Sequence, residues 1–384
     1  MTLAIEATAR AMKAAGKDII SFGAGEPDFN TSEAIKNKAI EAIHANQTRY
    51  TAVGGTDALK DAIIQKLKNE NGLSYERSQI IVSCGAKQSF YNLAHVLWEE
   101  GDEILIPAPY WVSYPDIITL AGATPVILNT TADADFKITP AAVEKATTSR
   151  TRALLINSPS NPTGSAYTAA ELQALAQVAM KLGLLIVSDE IYEKILYDGF
   201  QQKSIASFDQ EIQKNCVIIN GVSKSYAMTG WRIGYMAADA EIVKQCNKLQ
   251  GQSTSNPASI SQAAAVEALT GSQDEVARML VEFQKRRNVL VDGLTKIPGV
   301  SCYRPAGSFY SFPDFSALYG KTWQGASISG SLKFTEFLLK ESMIALVPGI
   351  AFGADANARM AFACSMENIN QGLDRLAKAI AKLE

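Results

Sequence analysis

Histidine is nearly absent: His44 and His95 are the only two in 384 residues, and the five cysteines (Cys84, Cys216, Cys246, Cys302, Cys364) are scattered without a CxxC pair. Structural zinc needs clustered ligands of these types, so no metal is expected, and dispersed thiols in odd number suit a reducing compartment, the cytoplasm. Long hydrophobic runs are missing too. ALLI at 153–156 and LGLLIV at 182–187 are strand-sized and far too short to cross a bilayer, which excludes a membrane role. The N-terminal MTLAIEATARAMKAAGK has no signal-peptide pattern and reads as an amphipathic helix. Neither charge sign dominates: 36 Lys and Arg face 39 Asp and Glu, and the densest cationic block is the short QKRRN at 284–288. That excludes a broad basic field for nucleic acid; any anion is bound locally. No GxxxxGK[ST] loop is present, and GAGEPD at 23–28 ends in Asp with a Pro after the Glu, so neither a nucleotide P-loop nor a dinucleotide turn is supported.

The length exceeds what one hydrophobic core usually supports, and apolar residues at 47% with charged residues at 20% are ordinary for a globular chain. Two domains are expected. From about residue 80 to 240, short runs rich in Ile, Val and Leu recur: IIVS (80–83), EILI (103–106), TPVIL (124–128), ALLIN (153–157), LLIVS (184–188), CVIIN (216–220) and IGYMA (233–237). Strands without polar alternation are buried on both faces, as in a mainly parallel sheet covered by helices. Helices are expected over 86–100, 111–122 and 168–183, the last with Thr168 and Glu171 as a capping box and Gly183 as its stop. After about 258 two helical stretches, strand signals at GSFYSF and ALVPGI, and a last helix at NINQGLDRLAKAIAKLE predict a smaller α+β domain joined by the N-terminal segment.

In an open α/β sheet, ligands bind beyond the carboxyl ends of the strands. The residues there are CGAKQ after the first run, PAPYW after the second, NSPSNPTG after the fourth, DEIY after the fifth and NGVSK after the sixth. They place Lys87, Trp111, Asn161, Asp189 with Tyr192, and Lys224 around one crevice. Taken singly, each has a plain reading: a surface lysine, a core tryptophan, a turn asparagine, an N-cap aspartate. The Gly85–Ala86–Lys87 turn opens a helix, so its backbone N–H groups can face a phosphate. The stretch NGVSKSYAMTGWRIGY at 220–235 sets two cations, Lys224 and Arg232, in an apolar frame. A lysine in a partly apolar crevice forms Schiff bases with carbonyl cofactors. Pyridoxal 5'-phosphate further requires an acid for its ring nitrogen, a phosphate cradle and a cation; Asp189, the 85–87 turn and Arg232 supply them.

The motifs AGEPDF, YTAVGGTDALK, CGAKQ, PAPYWVSYP, NSPSNPTG, SDEIYE, GVSKSYAMTGWRIGY, RPAGSFY, VPGIAFG and ARMAFACS span nearly the whole chain. In this series the chain resembles the fold-type I pyridoxal-phosphate aminotransferases of class I, in the bacterial subgroup of aspartate aminotransferases. The resemblance implies an α/β large domain at 33–280 with a seven-stranded, mainly parallel sheet, and a small α+β domain from 1–32 and 281–384. It implies that Lys224 bonds the cofactor and shuttles a proton, that Asp189 keeps the ring nitrogen protonated, and that Tyr192 and Asn161 bond the ring oxygen. Trp111 would stack on the ring. Ser223, Arg232, the turn at Gly85, Ala86 and Lys87, and Tyr50 from the second subunit of a homodimer would hold the phosphate. For the amino-acid and 2-oxo-acid substrates, Arg359 would clamp the α-carboxylate beside Gly25, Trp111 and Asn161 would line their pocket, and Lys87 would meet a distal carboxylate.

The resemblance also implies cis bonds at Ala108–Pro109 and Asn161–Pro162. Family members carry a longer N-terminal arm packed on the partner, whereas Met1 lies almost at the TLAIEATA motif. The implied reaction moves the amino group of L-aspartate to 2-oxoglutarate by a ping-pong cycle. A broader amino-acid or prephenate aminotransferase is the alternative. A carbon–sulfur β-lyase would have no use for Lys87, and a cofactor-sensing regulator would need a fused DNA-binding domain, for which the residues before the first motif leave no room.

Overall fold

The apolar runs alternate their side chains between two helical layers, and that alternation builds the centre of the molecule. The computed structural model describes residues 8, 9 and 11–384. Seven strands form one sheet: β1 (Ile80–Ser83), β2 (Glu103–Ala108), β3 (Thr124–Asn129), β4 (Thr151–Asn157), β5 (Leu185–Asp189), β6 (Cys216–Gly221) and β7 (Gly234–Ala237). Their order is β1-β7-β6-β5-β4-β2-β3, with β7 antiparallel to both neighbours and every other pairing parallel. Ile80, Val82, Leu105, Leu154, Ile156, Ile186 and Ile218 face one core, against the helices Asp57–Asn71, Ala169–Lys181 and Ser259–Thr270. Ile81, Ile104, Ile106, Leu155, Val187 and Val217 face the other, against Ala86–Leu97, Ser113–Leu120 and Ala240–Gln252. Both faces are covered, as the lack of polar alternation requires. β3, at the sheet edge, leaves apolar residues such as Ile127 exposed.

Helix Ala169–Lys181 begins on the expected capping box: Glu171 N–H donates to Thr168 Oγ1, and Thr168 N–H donates to Glu171 Oε2. Gly183 follows its end with φ +67°, a left-handed conformation that glycine adopts without penalty. A separate core gathers Phe22, Phe283, Phe309, Phe334, Phe362 and Leu376 with Ile191, Tyr192 and Tyr197 from the turn after β5. Strand Ile20–Ser21 pairs in parallel with Ile344–Ala345, and Ala358–Ala361 lies between Val347–Pro348 and Tyr310–Ser311. Helix Asp274–Leu294 is continuous, so the expected domain boundary at 280/281 falls inside it. The expected N-terminal helix is helical at 8–9 and 11–14; residues 1–7 and 10, which include most of the TLAIEATA motif, lie outside the described residues. No helix among the described residues is long and apolar enough to cross a membrane.

Candidate active site

Strands β4, β5 and β6 run parallel and end together, so the loops that follow them converge. There they enclose a cavity of about 660 Å³, lined by Gly25, Ala86, Lys87, Trp111, Asn161, Asp189, Tyr192, Ser223, Lys224, Arg232 and Arg359. These come from segments spread over most of the sequence. Two expected residues lie elsewhere. Tyr50 is 92% exposed and outside the cavity of its own chain. Gly85 stands just behind the wall, and its N–H donates to Ser83 O at 2.7 Å. Of the three N–H groups expected to face an anion, those of Ala86 and Lys87 remain at the helix start, where N–H groups have no intrahelical partner.

Asp189 closes β5 and is buried. Tyr114 Oη donates to its Oδ2 at 2.5 Å and Ile191 N–H to its Oδ1 at 3.1 Å. Burial raises its carboxyl above the ordinary range, and the two donors and the Lys224 charge oppose that rise. Lys224 Nζ donates to Gly25 O at 2.5 Å. Burial, then the nearby positive charge of Arg359, lowers its amine to about 8. Such an amine is available as a nucleophile and base near neutrality, which an exposed lysine is not.

Arg359 lies on the small-domain strand Ala358–Ala361 and is buried. Its Nη1 donates to Asn161 Oδ1 at 3.0 Å and its Nη2 to Gly23 O at 2.9 Å, while Nε has no partner among the described residues. The guanidinium sits 4.4 Å from the Tyr310 ring centroid. Arg232, in the left-handed region at φ +56°, donates Nη1 to Thr229 O and Nη2 to Cys84 O. A Cβ on Gly85 would collide with this guanidinium, so glycine there lets the arginine close over the helix start. Lys87 Nζ lies 5.0 Å from the Trp111 ring centroid. Burial, then the Arg232 charge, lowers its amine, and Asp116 opposes this.

Both expected cis bonds, Ala108–Pro109 and Asn161–Pro162, are cis, and so is Ser158–Pro159, which was not foreseen. Sequence reasoning also passed over Tyr114, Tyr310, Thr229, Asn157 and Asp116, all in the cavity wall. Tyr114 and Asp116 lie in or next to the PAPYWVSYP run, and Tyr114 stands one helical turn from Trp111, with ring centroids 5.1 Å apart. Tyr310 ends RPAGSFY, and its hydroxyl is 3.0 Å from that of Tyr192.

A sequence model of the family described as Aminotransferase class I and II matches residues 17–376. An aspartate aminotransferase of Geobacillus stearothermophilus is 48% identical over 98% of this chain and 94% of its own length. An aspartate/prephenate aminotransferase of Nitrosomonas europaea is 46% identical over 99% of this chain and 96% of its own. Among solved structures, the aspartate aminotransferase of Rhizobium meliloti superposes with a TM-score of 0.96 at 43% identity, covering 100% of this chain and 96% of that one. The Thermus thermophilus aspartate aminotransferase with maleate does so at 0.93 and 37% identity, covering 98% and 96%. In sequence, in fold and in the loops gathered at the carboxyl ends of its strands, this chain belongs to the class I and II aminotransferases.

Proposed function

We propose that this aminotransferase holds pyridoxal 5'-phosphate in the cavity and exchanges the amino group between L-aspartate and 2-oxoglutarate. The observation that carries the reading is Arg359, a buried guanidinium with an unpartnered Nε in the same cavity as a lysine of lowered proton affinity. A buried donor of this kind favours a carboxylate. The residues fit the cofactor: Lys224 would bond its carbonyl carbon, Asp189 would face its ring nitrogen, and Ser223, Arg232 and the Ala86 and Lys87 N–H groups would hold its phosphate. When bound, it supplies an electron sink for the bonds at the substrate Cα.

Lys224 Nζ takes the proton from Cα and returns one during the second half of the exchange. Asp189, fixed by Tyr114 and Ile191, holds a proton at the facing nitrogen. Arg359 orients the α-carboxylate and so aims the Cα–H bond at Lys224. Lys87 meets a distal carboxylate; that the Thermus relative was solved with maleate, a dicarboxylate, supports this. Tyr50, so exposed in one chain, would reach the phosphate of a second, making the working unit a homodimer, and the five unpaired cysteines suit the cytoplasm. The Nitrosomonas relative's name favours prephenate as a second substrate, and Tyr110, Val112 and Ala351 give the cavity an apolar wall for its ring.

The test is a panel of amino donors against 2-oxoglutarate on the cofactor-loaded enzyme, with prephenate as an alternative acceptor, and borohydride fixation of the added cofactor on a separate sample. Aspartate should lead the panel and mass mapping should find the label on Lys224. A label on another lysine, or no preference for dicarboxylic donors, overturns the assignment.

A further inference from the structure

The turn after β5 has two faces. Asp189 and Tyr192 point into the cavity, and Glu190 and Glu193 carry carboxylates on the opposite side. Glu193 is held by four polar contacts: it forms an ion pair with Lys66, accepts from Asn71 Nδ2 at 3.0 Å and from Asn220 Nδ2 at 2.6 Å, and its N–H donates to Glu190 O. Lys66 is itself buried and also donates to Asn71 Oδ1 at 2.8 Å. A second pair, Lys194 with Glu70 at 2.6 Å, closes the outer side, and Lys194 reaches Gln273, which also accepts from Tyr226 Oη. Glu70 also lies 3.6 Å from Lys66, so the two ammonium groups share Glu193 and Glu70, and the carboxylate of Glu190 is left over.

The surplus acid is Glu190, which is 1% exposed. Ser188 Oγ and Ser204 Oγ both lie against its Oε1, at 2.9 and 2.7 Å, while Oε2 is buried without a partner among the described residues. An ionised carboxylate with a bare buried oxygen loses the hydration that stabilises its charge. A neutral carboxyl keeps both serine contacts, because either hydroxyl can accept its proton.

We propose that Glu190 and Glu193 are positioning residues that anchor Asp189 and Tyr192 from behind, with Glu193 ionised against Lys66 and Glu190 carrying a proton. The proposal rests on the functional reading above, which sets Asp189 and Tyr192 against the cofactor. Besides Glu193 and Lys66, the titratable groups whose charge Glu190 affects are Tyr75, Cys216 and Tyr235, and burial holds all three neutral. Burial, then the Glu193 charge, pushes the Glu190 carboxyl up to about 7. Its native proton affinity therefore exceeds that of the unfolded chain, so its contribution to stability is full below the ordinary carboxylate range, declines up to about pH 7, and does not change further above it. Above that point two buried carboxylates compete for one ammonium, and the turn loosens.

The experiment titrates pyridoxal 5'-phosphate into the cofactor-free protein between about pH 6 and about pH 9, for wild type, Glu190→Gln and Glu193→Gln. Glutamine at 190 has the shape of the protonated acid. Wild type should lose roughly 5-fold or more affinity across this range beyond any loss in Glu190→Gln. Glu193→Gln should bind roughly 10-fold or more weakly at every pH, since it leaves the buried Lys66 with only the more distant Glu70 at 3.6 Å. An infrared difference spectrum at about pH 6, wild type minus Glu190→Gln, should contain the carbonyl band of a protonated carboxylic acid. That band decides the proton assignment even if Glu193→Gln fails to fold. Coincident pH curves for wild type and Glu190→Gln, or no carboxylic-acid band, overturn the proposal. If no protein takes up the cofactor at any pH, the functional reading falls and this proposal with it; if wild type takes it up and the curves coincide, only this proposal falls.

Discussion

Arg359 commits Nη1 and Nη2 to neutral oxygens, Asn161 Oδ1 and Gly23 O, and leaves Nε without a partner among the described residues. Neither neutral contact compensates a full charge as a carboxylate does, so the arginine is set for an anion shared by every amino acid. Lys87 is different: it stands over Trp111, and on the proposed reading it serves only substrates with a second carboxylate. Arg359→Ala should therefore lower kcat/KM for all donors alike. Lys87→Ala should leave a distal carboxylate unpaired at a cost of perhaps ~2–5 kcal/mol, or roughly 30-fold or more in kcat/KM for aspartate and glutamate, while sparing alanine. Because Lys87 also lies in the first turn of helix Ala86–Leu97, which the proposal sets beneath the phosphate, cofactor affinity is measured on the same variant. Equal losses for dicarboxylic and neutral donors with weakened cofactor binding would mean that Lys87 serves the phosphate alone.

Among elements, β7 comes very close to the loop after β1. A Cβ on Gly234 would overlap the backbone of Gly85 and Ala86, so the glycine lets the start of helix Ala86–Leu97 lie flat on the sheet edge. Gly234→Ala should destabilise the protein by roughly 1–3 kcal/mol and weaken cofactor binding with it, read as a denaturant midpoint and a cofactor titration. Gly183→Ala, left-handed but with open space around it, should cost about 1–2 kcal/mol and leave the cofactor affinity unchanged. The inner sheet strands were legible because burial on both faces leaves an unbroken apolar run, the edge strand β3 only by its short run TPVIL, and helix Ala169–Lys181 because its cap is local. Helices Glu33–His44, Asp57–Asn71, Ala240–Gln252 and Ser331–Ser342 went unread. Asp57–Asn71 is rich in charge and shows its apolar face only once Leu59, Ile63 and Leu67 meet the sheet. The two-residue strands of the small core owe their pairing to distant partners and leave no local pattern. In the site, residues at strand ends could be named from sequence, whereas the Tyr114–Asp189 and Lys66–Glu193 contacts join positions far apart and could not.

For the molecule as a whole, the exposed Tyr50 is the test of assembly. If it completes the site of a second subunit, a mixture of Lys224→Ala and Tyr50→Ala chains, unfolded and refolded together, forms mixed dimers with one intact site each. In a symmetric dimer, random pairing gives about a quarter of wild-type sites. Activity rising above the mean of the separate variants supports the shared site; strict averaging would mean that each chain works alone.

The pairing of Ile20–Ser21 with Ile344–Ala345 has a consequence for the growing chain on the ribosome. All seven sheet strands have emerged once Ala237 is made, yet the strand near the beginning still waits for its partner near the end. At ~5–20 residues per second that wait is on the order of ten seconds. Throughout it Ile20 and Phe22, buried in the finished molecule, have nothing to pack against. The oldest apolar segment is among the last to be covered, so nascent chains stalled between the sheet and the final helix are those on which a chaperone should be found, bound near residue 20.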